Sequence, residues 1–502
     1  MRKYKHFILI ALLSLLCLSF LSTQSKATQE ESTGGMLTDS ISWRLEGGTL
    51  MISGSGQMPA DPHCPWYDHR ADITALIVEQ GITHIGQSVF FGCTNLTQVT
   101  LPESLTGIGI GAFSNCSALE QITIPNGVKR IEANAFADCS RLSEIVLPAS
   151  VTFIGEYAFR NCEALRTISL PENLRTLEEG AFYYCGGLEQ IELPPLLQTV
   201  AAYAFYNCSA LTTVTLPREA TQIEDYAFYS CYCLTDVTFS EKVTVIGMNA
   251  FGSCSSLQKI VLPDSVIVIG SDAFADCIKL SDVTLSARTN YVSFDAFRYC
   301  ESLTSIEIPP SVISLCLPSS IEEIYISDLA AWCRIDFHDV GYNGLANAKL
   351  YLNGELVTHL EIPESVTEIA HYAFADYQHL QSVTLAEGVT SIGSKSFYNC
   401  QNLTSISIPT SLRTISVGAF QNCNSLTDLF YAGTQKQLSQ VQVYKDNDIL
   451  ISSRWRMTLQ NTLISLWQQS GVLLLIQGSL YVAAIVVSFI LEYRQKKQFL
   501  RL

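Results

Sequence analysis

Apolar residues recur along most of this chain in units of 23 residues. Three consecutive units read AFADCSRLSEIVLPASVTFIGEY, AFRNCEALRTISLPENLRTLEEG and AFYYCGGLEQIELPPLLQTVAAY. In each unit the I-x-L-P stretch alternates apolar and polar residues, which predicts a β-strand that ends at the proline. The V-x-x-I stretch that follows is short and rich in β-branched residues. It predicts a second short strand or an extended turn.

Two columns of residues mark the period most clearly. Phenylalanine recurs at this step from Phe90 to Phe297 and again from Phe374 to Phe420, and a cysteine follows each by three residues except at Tyr377. One unit has too little apolar surface to fold alone, so we expect successive units to stack and bury these columns. We predict a mostly β leucine-rich repeat solenoid of 23-residue repeats. It should curve as a right-handed superhelix, with parallel strands on its concave side.

A glycine follows the second apolar stretch in six units. Because glycine adopts positive φ at little cost, the pattern predicts a tight bend with positive φ at this position. The six residues are Gly86, Gly109, Gly155, Gly247, Gly270 and Gly393.

The A-F-x-x-C-x-x-L-x-x-I-x-L-P unit, which recurs thirteen times, resembles that of the BspA-like (Treponema-type) bacterial leucine-rich repeat surface proteins. Two segments outside the repeats also resemble parts of that family. They are an N-terminal cap from Trp43 to Tyr67 and an insert between repeat blocks from Asp328 to Gly354. The resemblance covers roughly residues 37–457. It implies adhesion to host proteins or other cells, with an extracellular protein or cell-surface ligand as the partner.

The repeat register divides the chain into eight segments. The step from Phe297 to Phe374 is not a multiple of 23 residues, which places an irregular insert between two repeat blocks. The segments are a signal peptide (1–27), an N-terminal cap (37–80), a block of ten units (81–310), the insert (311–358), a block of three units (359–431), a C-terminal cap and stalk (432–470), a transmembrane helix (471–491) and a cytoplasmic tail (492–502).

The two ends of the chain have the composition of membrane-targeting segments. Residues 1–27 combine basic residues, an apolar run and a small-residue cleavage site, which predicts a secretory signal; an uncleaved anchor is the alternative. Residues 471–491 carry no charge and are long enough for one membrane crossing, with a buried core helix as the alternative. Because more Lys and Arg follow this segment than precede it, the C-terminus is expected in the cytoplasm and the repeats outside.

Charge and cysteine content narrow the classes of partner and of fold. The 502-residue chain has a net charge of −17, which argues against nucleic acid or an anionic membrane surface as the main partner.

Its seventeen cysteines suggest a disulfide framework if the chain is secreted. Twelve of them occupy the same position of a unit, however, and we predict that these are buried free thiols. Bridges between neighbouring units are the alternative. The oligomeric state stays open.

The sequence carries no motif for catalysis or cofactor binding. H-E-x-x-H, G-x-S-x-G, C-x-x-C and the P-loop are all absent, so we expect no enzyme, no catalytic residue and no cofactor. Two groups of potential metal ligands match no known ligand spacing, and a cap loop and a solvated loop explain them better. They are His63, Cys64, Asp68 and His69, and Asp336, His338 and Asp339.

Tyrosine is concentrated beside the A-F turn of four consecutive units. Because tyrosine supplies contact area together with a polar group, we predict that Tyr157, Tyr183, Tyr184, Tyr206 and Tyr229 bind the partner. Tyr203, Tyr226 and Tyr232 lie in the same units. The alternative is that these rings pack against one another. The resemblance implies a membrane-anchored adhesion protein, and the alternative is a non-catalytic spacer of the cell envelope.

Overall fold

The computed structural model describes residues 33–60, 63–293, 295–337, 343–452 and 455–457. The predicted signal peptide, transmembrane helix and cytoplasmic tail lie outside these residues. Among the described residues, no helix has both the length and the apolar composition needed to cross a membrane.

The predicted mostly β solenoid is confirmed, and its units stack through two lines of parallel strands. The first ladder uses the I-x-L stretch and comprises Ala75–Val78, Gln98–Thr100, Gln121–Thr123, Glu144–Val146, Thr167–Ile168, Gln190–Glu192, Thr213–Thr215, Asp236–Thr238, Lys259–Val261, Asp282–Thr284 and Ser305–Ile308. The second ladder uses the V-x-x-I stretch and comprises Gly56–Gln57, Ile82–Ile85, Gly107–Ile108, Arg130–Ile131, Phe153–Ile154, Thr176–Leu177, Thr199–Val200, Gln222–Ile223, Val245–Ile246, Val268–Ile269 and Tyr291–Val292.

Strand pairing keeps equivalent residues of neighbouring units side by side. Ile191 pairs with Val214, its counterpart 23 residues later, and the pairing is parallel. The alternation predicted for these strands is confirmed, since Glu144 and Val146 are exposed while Ile145 between them is buried. A slip of one residue would turn every buried side chain outward, so burial of one face maintains the register.

The core contains a continuous column of phenylalanine rings. From Phe90 to Phe297, neighbouring rings have centroids 5.2–5.6 Å apart, and each ring is buried. This spacing lies in the range of favourable offset stacking. Trp66 of the N-terminal cap continues the column, with its ring 6.0 Å from that of Phe90. Its indole N–H donates to the carbonyl of Val89 at 2.9 Å.

The twelve repeat cysteines are buried free thiols, as predicted. The structure adds a polar role for eleven of them, because each S–H donates to the carbonyl of the phenylalanine in the preceding unit. For Cys162 the acceptor is the Phe136 carbonyl, at 3.3 Å. Tyr377 replaces cysteine in the unit that follows the insert, and its hydroxyl donates to the Val357 carbonyl at 2.7 Å. The tyrosine side chain is longer than cysteine, and it reaches the insert backbone because no 23-residue unit directly precedes this one.

The N-terminal cap covers the first edge of the solenoid. Strands Thr33–Thr38, Ile41–Glu46 and Thr49–Gly54 form an antiparallel sheet, and the last of them pairs in parallel with Ala75–Val78. A 3-10 helix, Tyr67–Asp72, follows these strands within the cap. The cap thus begins before residue 37, and it occupies backbone groups that would otherwise form an open sheet edge.

The expectation of an irregular insert at residues 311–358 is wrong for its described part. Strand Glu323–Ile326 pairs in parallel with Ser305–Ile308 on one side and with Lys349–Leu352 on the other. Ile306 pairs with Ile324, so this unit is shorter than 23 residues, yet the alternation of apolar and polar residues persists. A changed loop length alters the period without ending the ladder. A short helix, Leu329–Trp332, and a strand, Glu355–Leu356, complete the insert.

The second block repeats the architecture of the first and ends in an ordered cap. Its first ladder comprises His359–Ile362, Ser382–Leu385, Ser405–Ile408, Asp428–Tyr431 and Trp455–Met457. Its second ladder comprises Glu368–Ile369, Ser391–Ile392, Thr414–Ile415 and Gln442–Val443, and two short helices are Gln435–Leu438 and Asp448–Ser452. Residues 432–470 were expected to be irregular, but their described part continues both ladders. Buried Asn447 accepts the backbone N–H of Phe420 at 2.9 Å, which satisfies the last phenylalanine turn.

The prediction of positive φ at the six repeat glycines is wrong. None of the six lies in the left-handed region. Close approach of neighbouring turns explains them instead, since a Cβ on Gly393 would lie 2.6 Å from the Ile369 carbonyl oxygen. The left-handed residues of each unit lie elsewhere, on either side of the phenylalanine, and they shape the candidate site.

Candidate functional site

The turn around each phenylalanine forms a third line of contacts between units. In this turn the residue two before the phenylalanine, the phenylalanine itself and the residue two after it donate backbone N–H groups to the next unit. Around Phe136 the donors are Asn134, Phe136 and Asp138, and the acceptors are the carbonyls of Glu156, Ala158 and Arg160, at 2.7–2.8 Å. The outward side chains of the turn are therefore held at regular intervals along the solenoid.

The two flanking residues of this turn adopt positive φ in every unit. Most units place Asn, Asp, Gly or Ser there, which are residues that tolerate or commonly occupy left-handed backbone and turns. Tyrosine replaces them at six positions with φ between 53° and 60°, of which four lie in consecutive units, Tyr157, Tyr184, Tyr203 and Tyr226, and two lie elsewhere, Tyr299 and Tyr372. A bulky residue in this conformation costs on the order of 1 kcal/mol or more. The turn itself does not require tyrosine, so the strain marks these side chains as selected for something other than the backbone.

The predicted tyrosines lie together as one strip, which we define as Tyr157, Tyr183, Tyr184, Tyr203, Tyr206, Tyr226 and Tyr229. Two rows of stacked rings run through it. Tyr183, Tyr206 and Tyr229 form one row with centroids 4.8 and 5.1 Å apart. Tyr203 and Tyr226 form the second row, with ring centroids 5.1 Å apart and ring planes nearly parallel, at an angle of 3°. Cross-row contacts of 5.6–6.5 Å join the rows.

Two glycines make room for the outermost rings of the tyrosine strip. A Cβ on Gly180 would lie 2.3 Å from the Tyr157 ring, and a Cβ on Gly252 would lie 2.9 Å from the Tyr229 ring. Gly180 also has positive φ, at 60°. The sequence signal for this arrangement was available but was missed, because glycine and asparagine alternate with tyrosine at the same turn position in Gly111, Asn134 and Tyr157.

Several hydroxyls of the tyrosine strip have raised pKa values. The Tyr157 hydroxyl donates to Glu179 Oε1 at 2.7 Å. Partial burial, and then this carboxylate, raise the pKa of Tyr157 above its ordinary value. Burial and neighbouring tyrosines also raise the pKa values of Tyr183 and Tyr206. Tyr157, Tyr183 and Tyr206 are therefore neutral phenols at neutral pH, and such groups can both donate and accept hydrogen bonds.

The tyrosine strip is accessible although its rings pack together. Its members are half-buried except for Tyr184, whose side chain is 41% exposed. Tyr232, which belongs to the same units but not to the strip, is 47% exposed. The rings stack on one another, as the packing alternative expected, and they also form a continuous surface. The five residues predicted to bind the partner all belong to this surface; that they bind remains a prediction.

The potential metal ligands of the sequence have other contacts. His69 Nδ1 lies 3.3 Å from Asp72 Oδ2, the His63 ring packs at 5.4 Å from that of Tyr67, and Cys64 is buried in the cap. His338 and Asp339 lie outside the described residues. Within the part of the chain that the structure describes, no three His, Cys, Asp or Glu side chains are grouped to hold a metal ion.

The buried thiols should make the stability of the fold depend on pH. Burial raises the pKa of Cys185 from its ordinary 9.0 to about 12. Because the folded-state pKa is raised, folding favours the protonated thiol, so this contribution is intact below pH 9 and is lost as the pH rises toward 12. We expect the urea midpoint to fall between about pH 9 and about pH 12, aided by the raised tyrosine pKa values. A midpoint that holds or rises over this interval would contradict the account.

Native alkylation provides the matching measurement on single cysteines. Cys233 is exposed, whereas Cys162 and Cys208 are buried. Iodoacetamide followed by peptide mass analysis should modify Cys233 in the folded protein and leave the repeat thiols unmodified until denaturant is added. Finding the repeat cysteines paired in the denatured, unreduced protein would restore the disulfide interpretation.

The sequence matches the family described as BspA type leucine rich repeat region, in 6 copies. The matched residues are 66–189, 131–255, 221–328 and 347–448, which together make up more than half of the chain. Among curated proteins, none matches this chain.

The chain is similar to solved structures of bacterial leucine-rich repeat proteins, and the first of those below supports a shared fold. A leucine-rich repeat protein from Bacteroides ovatus is 25% identical with a TM-score of 0.53, and the match covers 84% of this chain and 99% of that one. A leucine rich cell surface protein from Faecalibacterium prausnitzii is 21% identical over 82% of this chain and 97% of its own, with a TM-score of 0.31. The T. pallidum leucine rich repeat protein is 23% identical over 46% of this chain and 91% of its own, with a TM-score of 0.30.

Proposed function

This chain belongs to the BspA-type leucine-rich repeat family, and from that premise we propose that it is a membrane-anchored cell-surface protein that binds an extracellular protein through the tyrosine strip. The solenoid supplies a rigid scaffold, because each unit contacts its neighbours through three lines of hydrogen bonds. Extended surfaces of this kind usually act in binding. Residues 471–491 are the proposed anchor, and adhesion to host proteins or other cells is the proposed outcome.

The observation that carries this proposal is the tyrosine strip itself. Four of its members occupy left-handed positions where other units use Asn, Asp or Gly, and two glycines leave space for its outermost rings. Tyrosine is enriched where proteins bind one another, because its ring supplies area and its hydroxyl supplies a hydrogen bond. A structural spacer would need neither the strain nor the exposed phenols, and it is the alternative that the experiment must exclude.

The left-handed positions allow binding to be separated from folding. We expect the combined substitutions Tyr184→Asn, Tyr203→Asn and Tyr226→Asn to remove partner binding. They should lower the unfolding midpoint but leave the repeats folded, because asparagine suits the left-handed backbone and offsets part of the loss of ring contacts, each worth about 0.5–1.5 kcal/mol. The measurement is capture of host matrix proteins or neighbouring cells by cells that display the full chain.

Tyr299→Asn is the matched control, since Tyr299 has the same turn position and a φ of 58° but lies outside the tyrosine strip. It should leave binding intact. Capture that survives the triple substitution would reject the strip as the binding surface and favour the spacer. A chain that ends at Met457 should be released into the medium, and its retention on cells after a salt wash would reject the anchor.

A further inference from the structure

Carboxylates accompany the tyrosine strip at one turn position. The residue three before the phenylalanine is acidic only at Glu156, Glu179 and Asp225 among the thirteen units, and all three belong to the four units that carry the strip. Glu156 and Asp225 are exposed, and Glu179 is half-buried. Their coincidence with the tyrosines in sequence and in space indicates one combined surface.

Two of these carboxylates, Glu179 and Asp225, interact with rings of the tyrosine strip. Glu179 accepts the Tyr157 hydroxyl at 2.7 Å. Asp225 precedes Tyr226 directly, and its charge contributes to the raised pKa of that phenol. Asp225 Oδ1 also accepts the backbone N–H of Met248 at 2.7 Å, which orients the carboxylate. The acidic groups are thus part of the ordered surface of the tyrosine strip.

The same turns contain almost no positive charge. Between residue three before and residue three after the phenylalanine, the four units have one basic residue, Arg160. Its guanidinium is paired with Asp138 at 2.6 Å. None of Glu156, Glu179 and Asp225 is among the carboxylates found in an ion pair within the described residues. The surface therefore has an uncompensated negative charge beside aromatic rings.

Aromatic rings and carboxylates together recognise cations. A guanidinium or ammonium group is attracted to the face of an aromatic ring, and a nearby carboxylate adds a charge-assisted hydrogen bond. We propose that the tyrosine strip binds a polypeptide segment that carries Lys and Arg side chains. This inference rests on the proposed function and specifies the chemistry of its partner. The repeat along the strip provides successive contact points for an extended basic segment.

Binding of short peptides to the full chain, purified in detergent, tests the proposal. The probes are octa-arginine, octa-glutamate and the neutral sugar cellohexaose, measured by calorimetry at low and physiological salt. We expect octa-arginine to bind, with an affinity that falls as salt screens the carboxylates, and the other two probes not to bind. Binding of cellohexaose in place of octa-arginine would overturn the proposal in favour of a carbohydrate ligand.

A matched pair of variants separates local from overall charge. Glu179→Gln with Asp225→Asn should weaken octa-arginine binding about ten-fold. Glu144→Gln with Glu192→Gln removes the same charge from exposed positions of the first ladder, and it should change the affinity less than about two-fold. Equal weakening by both pairs would show attraction to the net charge of the chain alone and would overturn the proposal.

The two proposals fail in different ways. If the triple tyrosine variant loses protein capture while octa-arginine does not bind, the tyrosine strip remains the binding surface and the basic partner is rejected. If that variant retains capture, the proposed function is rejected whatever the peptides do.

Discussion

Replacing Phe159 with Ala is expected to lower the free energy of unfolding of the first repeat block by about 3–5 kcal/mol. The Phe159 ring is fully buried and lies 5.6 Å from the ring of Phe136 and 5.3 Å from that of Phe182. Its loss would open a cavity that the flanking rings cannot fill, because the ladders on both sides of the column set the spacing between units. Chemical denaturation gives the total effect.

Hydrogen exchange locates the effect of this substitution along the solenoid. Because each unit contacts only its neighbours, protection should fall most in Glu144–Val146 and Thr167–Ile168, the strands nearest the cavity. Phe153→Ala is the matched control, since Phe153 is half-buried in the second ladder with the Arg130 guanidinium over its ring. Phe153→Ala should lower the free energy of unfolding clearly less than Phe159→Ala. Equal effects of the two substitutions would contradict the importance of the stacked column.

Replacing Trp332 with Ala is expected to destabilise the second repeat block selectively, so that it unfolds at a lower urea concentration than the first. Trp332 occupies the same place before the second phenylalanine column as Trp66 does before the first. Its indole N–H donates to the carbonyl of Ala373 at 2.9 Å, just as that of Trp66 donates to Val89. Both rings are almost fully buried. The substitution removes a large core side chain and leaves a buried carbonyl without its donor, with an expected cost of about 3–5 kcal/mol.

Two transitions in the denaturation curve would reveal this effect. The second block, from His359–Ile362 to Trp455–Met457, should lose hydrogen-exchange protection at a lower urea concentration than the first. Trp332→Phe keeps a large ring but loses the N–H group, so it should cost about 1–3 kcal/mol and thereby separate the hydrogen bond from the packing. One shared transition that shifts for both blocks together would show that the insert transmits folding between them.

The insert shows where a fixed period stops being informative about strand pairing. The alternation in residues 321–326 was visible in the sequence, but the loss of the 23-residue step led to the expectation of an irregular segment. Glu323–Ile326 nonetheless pairs on both sides. Strand pairing depends on local alternation and on a free neighbouring edge, and it does not depend on the length of the loop between strands.

The sequence by itself determined the fold, the buried columns and the identity of the tyrosine-rich units, because repetition places equivalent residues in equivalent environments. One apolar position read thirteen times is a strong signal of burial, and burial maintains the strand register. The free thiols also followed from this reasoning, whereas the acceptor of each S–H group, the phenylalanine carbonyl of the preceding unit, did not.

Only the tertiary structure decided how neighbouring units meet. It placed positive φ beside the phenylalanine and not at the glycines expected to have it, it joined the tyrosines into two stacked rows, and it gave Trp332 the role of a second cap. These features depend on distances between residues that are 23 or more positions apart. Such distances are set by the rise of one unit on the next, which no single unit encodes, since a unit acquires its conformation only when its neighbours cover both of its faces.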